Sequence, residues 1–249
     1  IHKAKWIDDE LCDEAIDRLN LQNTWLPFPK DVINAYPDAP RKQDGIAGST
    51  LSIDWEQFMG DPDIPEQDRN YGLTHMNDRP TLDRIRASVK NGLDHYVHEH
   101  LKDLPWYDYY RDFTDPKFMK YSETHDMMEH CDHVRYVFDG KRKGIPTVSI
   151  VGSLDDKHEG GHLRFFDKTD YYVGKGEVLY FPSNFLYPHR VTEVTGGLRY
   201  SFVSWIGFSS LNLCNYNLSN NGYRILFKKL FCKNILLQFW SSNFRLNYL

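Results

Sequence analysis

The residues best placed to do chemistry in this chain are His130 and Asp132, separated by Cys131, with a lone His189 far downstream and Arg199 ten residues beyond it. Two imidazoles and one carboxylate are the ligand set of the facial triad, which holds non-heme Fe(II) and leaves positions open for oxygen and a co-substrate. In a strand, residues i and i+2 point to the same face. The spacing therefore predicts that His130 and Asp132 grip one metal while Cys131 faces away. A third ligand from a distant strand would close one face of an octahedron. Arg199 is planar, always charged and forked, a shape suited to a carboxylate.

These side chains need a frame to hold them. Trp6 to Cys12 reads as a short strand, an Asp cap, and a helix running to about Leu19. Residues 27–72, rich in Pro, Asp, Gly and Gln, read as a long loop-dominated insertion with one strand near 50–55. After Pro80, the residues Leu82, Ile85, Val89, Leu93 and Tyr96 recur at three- and four-residue steps and predict a helix with one buried stripe. From Phe118 onward the texture is short strands separated by Gly, Asp and Asn. The segments 117–122, 128–137, 146–154, 162–166, 177–182, 187–193 and 198–206 have the spacing of a sandwich or jelly roll.

The chain has 249 residues, enough for one substantial core, so residues 1–210 are expected to form a single domain with a barrel at about 117–208. A formal charge of −5 gives no reason to expect a nucleic acid or an anionic membrane as partner. The four cysteines, Cys12, Cys131, Cys214 and Cys232, are far apart and form no CxxC pair. Neither a zinc knuckle nor a disulfide framework is indicated, which favours a reducing, cytoplasmic location. No apolar run approaches the roughly 18 residues of a membrane span. The absence of an initiator Met and of a signal-peptide pattern leads us to expect a fragment or a processed chain.

Residues 211–249 stand apart. No acidic residue follows Glu193, Asn is dense, and Arg224, Lys228, Lys229, Lys233 and Arg245 are basic. Two readings stay open: a basic amphipathic C-terminal helix that covers the barrel, or sequence foreign to the domain, such as a shifted reading frame. Neither gives the tail a chemical role.

Several ordered motifs resemble one known family. Residues 118–132 read Phe-Met-Lys-Tyr-Ser-Glu-Thr-His-Asp-Met-Met-Glu-His-Cys-Asp, with Tyr121 nine residues before His130. There follow Pro146-Thr-Val-Ser-Ile-Val-Gly-Ser-Leu-Asp-Asp, then Glu159-Gly160-Gly161-His-Leu-Arg-Phe-Phe166 and Gly176-Glu-Val-Leu-Tyr-Phe-Pro-Ser183. Pro188-His189-Arg-Val-Thr-Glu-Val and Gly197-Leu-Arg199-Tyr-Ser201-Phe-Val-Ser-Trp205 complete the series. Across 118–207, with a looser match at 6–19, the chain resembles the prolyl 4-hydroxylase-like branch of the 2-oxoglutarate/Fe(II) oxygenases.

That resemblance implies a mainly β architecture with flanking helices, a double-stranded β-helix (jelly roll, cupin-like). It implies iron at His130, Asp132 and His189, the distal carboxylate of 2-oxoglutarate on Arg199, and a hydrogen bond from Ser201. Tyr121 is either a second donor to the co-substrate or a packed aromatic of the barrel. Fe(II), 2-oxoglutarate and O2 are the implied cofactors, and ascorbate is compatible with them. Related halogenases leave the carboxylate position empty for chloride, so Asp132 implies hydroxylation. The substrate classes implied are a protein or peptide side chain or, second, a free amino acid or small metabolite. A non-catalytic jelly roll that keeps its metal for structure is the contrasting class. Two departures matter: Arg199 stands where prolyl hydroxylases usually carry Lys, and Met127 where they often carry Tyr. They leave the side chain acted upon open.

The remaining histidines read as structural. His125 and His133 flank the motif, with His133 facing away by parity, and His95, His98 and His100 belong to a polar helix face. His158 and His162 lie beside Gly160-Gly161, from which His162 could reach the pocket rim. The two glycines match no phosphate loop and predict a tight turn with positive φ.

Overall fold

The computed structural model describes residues 1–28, 35, 36, 38, 41, 42, 52, 53, 55–63, 65, 70–104, 110, 112–132 and 144–209. The expectations for His133, for strand residues 133–137, for most of the 27–72 insertion and for the tail at 211–249 fall outside them. In chain order the elements are β1 (His2–Lys5), α1 (Asp9–Gln22), β2 (Arg41–Lys42), β3 (Ser52–Ile53), α2 (Trp55–Gly60), β4 (Gly72–Thr74) and α3 (Arg79–His100). Then come β5 (Lys117–Tyr121), β6 (Met127–His130), β7 (Gly144–Ser153), β8 (Glu159–Gly160), β9 (Leu163–Phe165) and β10 (Thr169–Tyr171). The last are β11 (Glu177–Pro182), β12 (His189–Val191), β13 (Val194–Gly196) and β14 (Arg199–Ser209). The expected strand at 50–55 is cut short, because Trp55 opens α2.

Both long helices begin where an acidic side chain caps them. Asp8 accepts a hydrogen bond from the Leu11 amide at 2.7 Å, and Asp78 accepts one from the Thr81 amide at 3.0 Å, with Pro80 in the first turn. α1 continues past Leu19 to Gln22 and stops at Asn23, whose left-handed backbone (φ 43°) closes the last turn. The stripe Leu82, Ile85, Val89, Leu93 and Tyr96 of α3 is buried, as its periodicity predicts.

The chain winds between two antiparallel sheets. A six-stranded sheet runs β1-β11-β7-β14-β5-β4 and a four-stranded sheet runs β10-β9-β12-β6. Successive strands alternate between them: β5 lies in the large sheet, β6 in the small, β7 in the large, β9 and β10 in the small, β11 in the large, β12 in the small and β14 in the large. First and last strands thus end as neighbours in each sheet, β5 beside β14 and β6 beside β12. This is the double-stranded β-helix, the jelly roll expected from the sequence.

Alternation along the large sheet separates two cores. Even-numbered Phe118, Val148, Ile150, Val178, Tyr180, Tyr200, Phe202 and Ile206 pack with α1 and α3. Odd-numbered Met119, Tyr121, Val151, Leu179 and Phe181 face the interior between the sheets with Leu163, Phe165 and Val191 of the small sheet. The helix layer sits close. A Cβ on Gly92 of α3 would lie 2.2 Å from the Tyr180 hydroxyl, which donates to the Val89 carbonyl at 3.0 Å.

Candidate metal centre

The interior parity that packs Tyr121 also turns Arg199, Ser201 and Trp205 of β14 and Ser149 of β7 inward. His189 and His130 come from the other sheet, where β12 and β6 hold them as paired residues. Among the described residues, His130, Asp132 and His189 are the one set of three candidate ligands whose donor atoms all lie within 4.8 Å of one another. The expected trio is therefore together, though not quite as strand parity had it. β6 ends at His130, and Asp132 is delivered by the irregular step that follows. The carboxylate returns to the pocket because side chains of the large sheet hold it there.

Both imidazoles are preset as ligands. His130 Nδ1 lies 2.9 Å from the Met128 carbonyl and His189 Nδ1 lies 3.1 Å from the Tyr187 carbonyl. A carbonyl can only accept, so Nδ1 carries the proton in each ring and Nε2 keeps its lone pair. Nε2 of His130 stands 3.4 Å from Asp132 Oδ1, and Nε2 of His189 stands 3.9 Å from Asp132 Oδ2. Two neutral nitrogens and one carboxylate, with the second nitrogen of each ring tied to backbone, are what a non-heme Fe(II) site requires. The residues fit the metal.

Electrostatics agree with that reading for Asp132 and His189, while for His130 in the metal-free chain they run the other way. Burial pushes the Asp132 carboxyl up, but the hydrogen bond to His130, the His189 charge, the Ser149 hydroxyl and the Trp205 indole outweigh it, and the group ends at about 2. It is ionised at any working pH. Burial holds the His189 imidazole below its ordinary value, favouring the neutral form that a metal needs. For His130 burial also lowers the pKa, yet the Asp132 hydrogen bond and the Met128 carbonyl raise it overall. His189 is enclosed by the rings of Phe165 and Phe181, whereas the His130 side chain is 38% exposed. One side of the set is dry and the other opens outward.

Arg199 is fully enclosed, with 2% exposure. It donates to Ser201 Oγ at 2.8 Å and its guanidinium lies 5.2 Å from the centre of the Tyr121 ring. Among the described residues no carboxylate forms an ion pair with it. Burial of a lone cation is costly, and it lowers the Arg199 pKa. Tyr121 is also fully buried; its hydroxyl donates to Met119 Sδ at 3.4 Å, and Phe28 stacks on its ring. The turn at Gly160 and Gly161 has the positive φ expected of it, +70° and +64°. Its second glycine does more than turn, because a Cβ on Gly161 would lie 2.6 Å from Arg199 Cδ. The missing side chain makes room for the arginine.

The other described histidines do not join the set. His158 is buried against Asp155 at 2.7 Å, and His125 accepts or donates with Ser122 Oγ at 2.8 Å. The His162 ring meets Tyr172 edge-on rather than reaching the triad. Sequence reasoning passed over Ser149, Ser183 and Trp205. The parity that carries Arg199 and Ser201 inward extends to Trp205 and could have found it.

Comparison with known proteins places this geometry. The sequence profile of the 2OG-Fe(II) oxygenase superfamily matches residues 116–207, the stretch that carries the three candidate ligands and Arg199. That match and the His-Asp-His set support an oxygenase that works with Fe(II), 2-oxoglutarate and O2. Among solved structures, a viral collagen prolyl hydroxylase from Paramecium Bursaria Chlorella virus-1, in its 2-oxoglutarate complex, is similar in fold. Its TM-score is 0.51 at 16% identity, over 83% of this chain and 94% of that one. A prolyl-4-hydroxylase from Pseudomonas putida aligns with a TM-score of 0.49 at 17% identity, over 83% and 91%. Among curated proteins no sequence matches the chain.

Proposed function

We propose that this protein hydroxylates a side chain of a protein or peptide, with His130, Asp132 and His189 holding the iron and Arg199 holding 2-oxoglutarate. The observation that carries the reading is the buried Arg199, which has no carboxylate partner among the described residues and shares the barrel interior with the three ligands. A permanent cation in a dry pocket binds a carboxylate strongly, and the fork of a guanidinium matches it bidentately. Ser201 orients one arm of the fork, and Tyr121 steadies the guanidinium through its ring. The Tyr121 hydroxyl, which donates to Met119 Sδ at 3.4 Å, is a candidate second donor to the same carboxylate.

When bound, iron with O2 and 2-oxoglutarate supplies the oxidising power: the keto acid leaves as succinate and CO2, and one oxygen atom enters a C–H bond of the substrate. This chain's own residues position and exclude water. Phe165 and Phe181 keep the back of the pocket dry behind His189. At the front, the His130 side chain is reachable, and Met128, Phe185 and Leu186 are exposed beside the strands that carry the histidines. An open apolar rim suits a polypeptide lying across the mouth better than a metabolite sealed inside. The shared fold with a collagen prolyl hydroxylase agrees with this choice. The test is succinate release with a library of unstructured peptides set against free amino acids and small acids. Peptide-dependent release with hydroxylated peptide is expected. Release driven only by free amino acids or metabolites would overturn the substrate class.

A further inference from the structure

Asp132 is held by more than its two histidines. Ser149 Oγ donates to Asp132 Oδ2 at 2.5 Å, and the Trp205 indole N–H donates to the same oxygen at 2.9 Å. Ser149 has a single proton and gives it to the carboxylate, so in its 2.7 Å contact with Ser183 Oγ it accepts, and Ser183 donates. The result is a directed chain, Ser183 to Ser149 to Asp132, anchored on the large sheet by Ser149 in β7 and by Ser183 just past the end of β11. Both donors strike Oδ2. Among the described residues Oδ1 faces only His130 Nε2.

This matters because Oδ2 is itself only 3.9 Å from His189 Nε2 and is within reach of the same metal. A carboxylate with both oxygens free can bind through two and occupy an extra position. An oxygen that already accepts two hydrogen bonds, from a hydroxyl and an indole, loses them if it turns away. We propose that Ser149 and Trp205 are positioning residues that pin Asp132 Oδ2 and present Oδ1 alone to the metal, and that Ser183 reinforces Ser149. The inference rests on the assignment of the triad as the metal site. It explains how Asp132, lying beyond the end of β6, is nevertheless fixed: the opposite sheet orients it. It also gives the pocket a way to keep positions free for the keto acid and oxygen.

Co(II) is the probe, titrated into metal-free full-length protein and read by its visible d–d absorption and its dissociation constant. Outer hydrogen bonds of this kind are worth about 10- to 100-fold in metal affinity. Ser149→Ala and Trp205→Phe should each weaken Co(II) about tenfold and change the shape of the band. Ser149→Thr keeps the hydroxyl and should stay within about threefold of the parent, a rescue that a purely packing role does not predict. Ser183→Ala, acting through Ser149, should weaken Co(II) by a smaller factor than Ser149→Ala. Melting temperatures accompany each variant, and the Ser149→Ala and Ser149→Thr pair decides the matter if Trp205→Phe does not fold. His189→Ala serves as the control. If it binds Co(II) as the parent does, the metal site itself is misassigned and the clamp falls with it. If it loses Co(II) while Ser149→Ala and Trp205→Phe keep the parent's affinity and band, the clamp alone is overturned.

Discussion

The large sheet carries two faces on the same strands, and they do opposite work. Its even-numbered face is a continuous apolar surface, Phe118, Ile150, Val178, Tyr180 and Phe202 among others, pressed against α1 and α3. Its odd-numbered face, one residue away at every step, holds Arg199, Ser201, Ser149 and Trp205 alongside the interior apolar residues. Stability is concentrated on one side and chemistry on the other. Because a strand turns each successive side chain to the opposite face, neither task constrains the residue types of the other. A buried guanidinium with no carboxylate partner among the described residues is tolerable inside the barrel because the helix-facing layer supplies the apolar burial that offsets it.

The sharpest way to break this division is to substitute each face and read both properties. Phe202→Ala, on the even face, should cost about 3–5 kcal/mol of unfolding free energy, since a fully buried phenyl leaves a cavity against Gly152. The folded fraction should bind 2-oxoglutarate as before, which chemical denaturation and calorimetric titration would check. Arg199→Ala, on the odd face, should do the reverse. It should weaken 2-oxoglutarate by on the order of 3–5 kcal/mol, the cost of removing one member of a buried charge pair, while metal affinity and melting temperature hold. Arg199→Lys should recover part of the loss, since a point charge lacks the fork. Equal damage to stability and binding from either substitution would dissolve the distinction.

A smaller effect concerns pH. In metal-free protein the Asp132 carboxyl is depressed to about 2 from the usual 3.8 of the unfolded chain. The folded form thus gains stability that is complete above about pH 5 and is lost as pH falls from there through about 2 toward 1, on the order of 2 kcal/mol. Asp132→Asn should lack that acid limb in a series of melting temperatures. An identical acid limb in both proteins would mean that Asp132 is not held as described.

The smallest effect tests the glycine beneath Arg199. Gly161→Ala adds a methyl group 2.6 Å from Arg199 Cδ at a φ of +64°. It should cost about 1–2 kcal/mol of stability for the left-handed backbone and weaken 2-oxoglutarate severalfold by displacing the guanidinium. Unchanged co-substrate affinity would show that Arg199 has slack.

Much of this arrangement was legible in the sequence because it is written in periods. The seven-segment β pattern, the stripe of α3 and the two capping aspartates are local, and each signal repeats several times within its element. β11 runs from Glu177 to Pro182, the bounds its pattern gives. The ligand trio was legible because few residue types bind iron. What escaped were elements too short to show a period: β8 has two residues, and β10 and β13 have three. Asp132 escaped in part, since parity assumes a strand that in fact ends two residues earlier. Ser149 and Ser183 escaped because a serine among apolar residues carries no signal of its own. Only tertiary contact with Asp132 gives them meaning.

The central claim is that one pocket joins a three-ligand iron site to an arginine that holds 2-oxoglutarate. The most direct measurement is the weak visible charge-transfer band of the anaerobic protein with Fe(II) and 2-oxoglutarate, recorded for the parent, His189→Ala and Arg199→Ala. The account predicts a band in the parent, none in His189→Ala, and in Arg199→Ala a band that appears only at several-hundred-fold higher 2-oxoglutarate. A parent-like band in His189→Ala, or a parent-like 2-oxoglutarate requirement in Arg199→Ala, would contradict it.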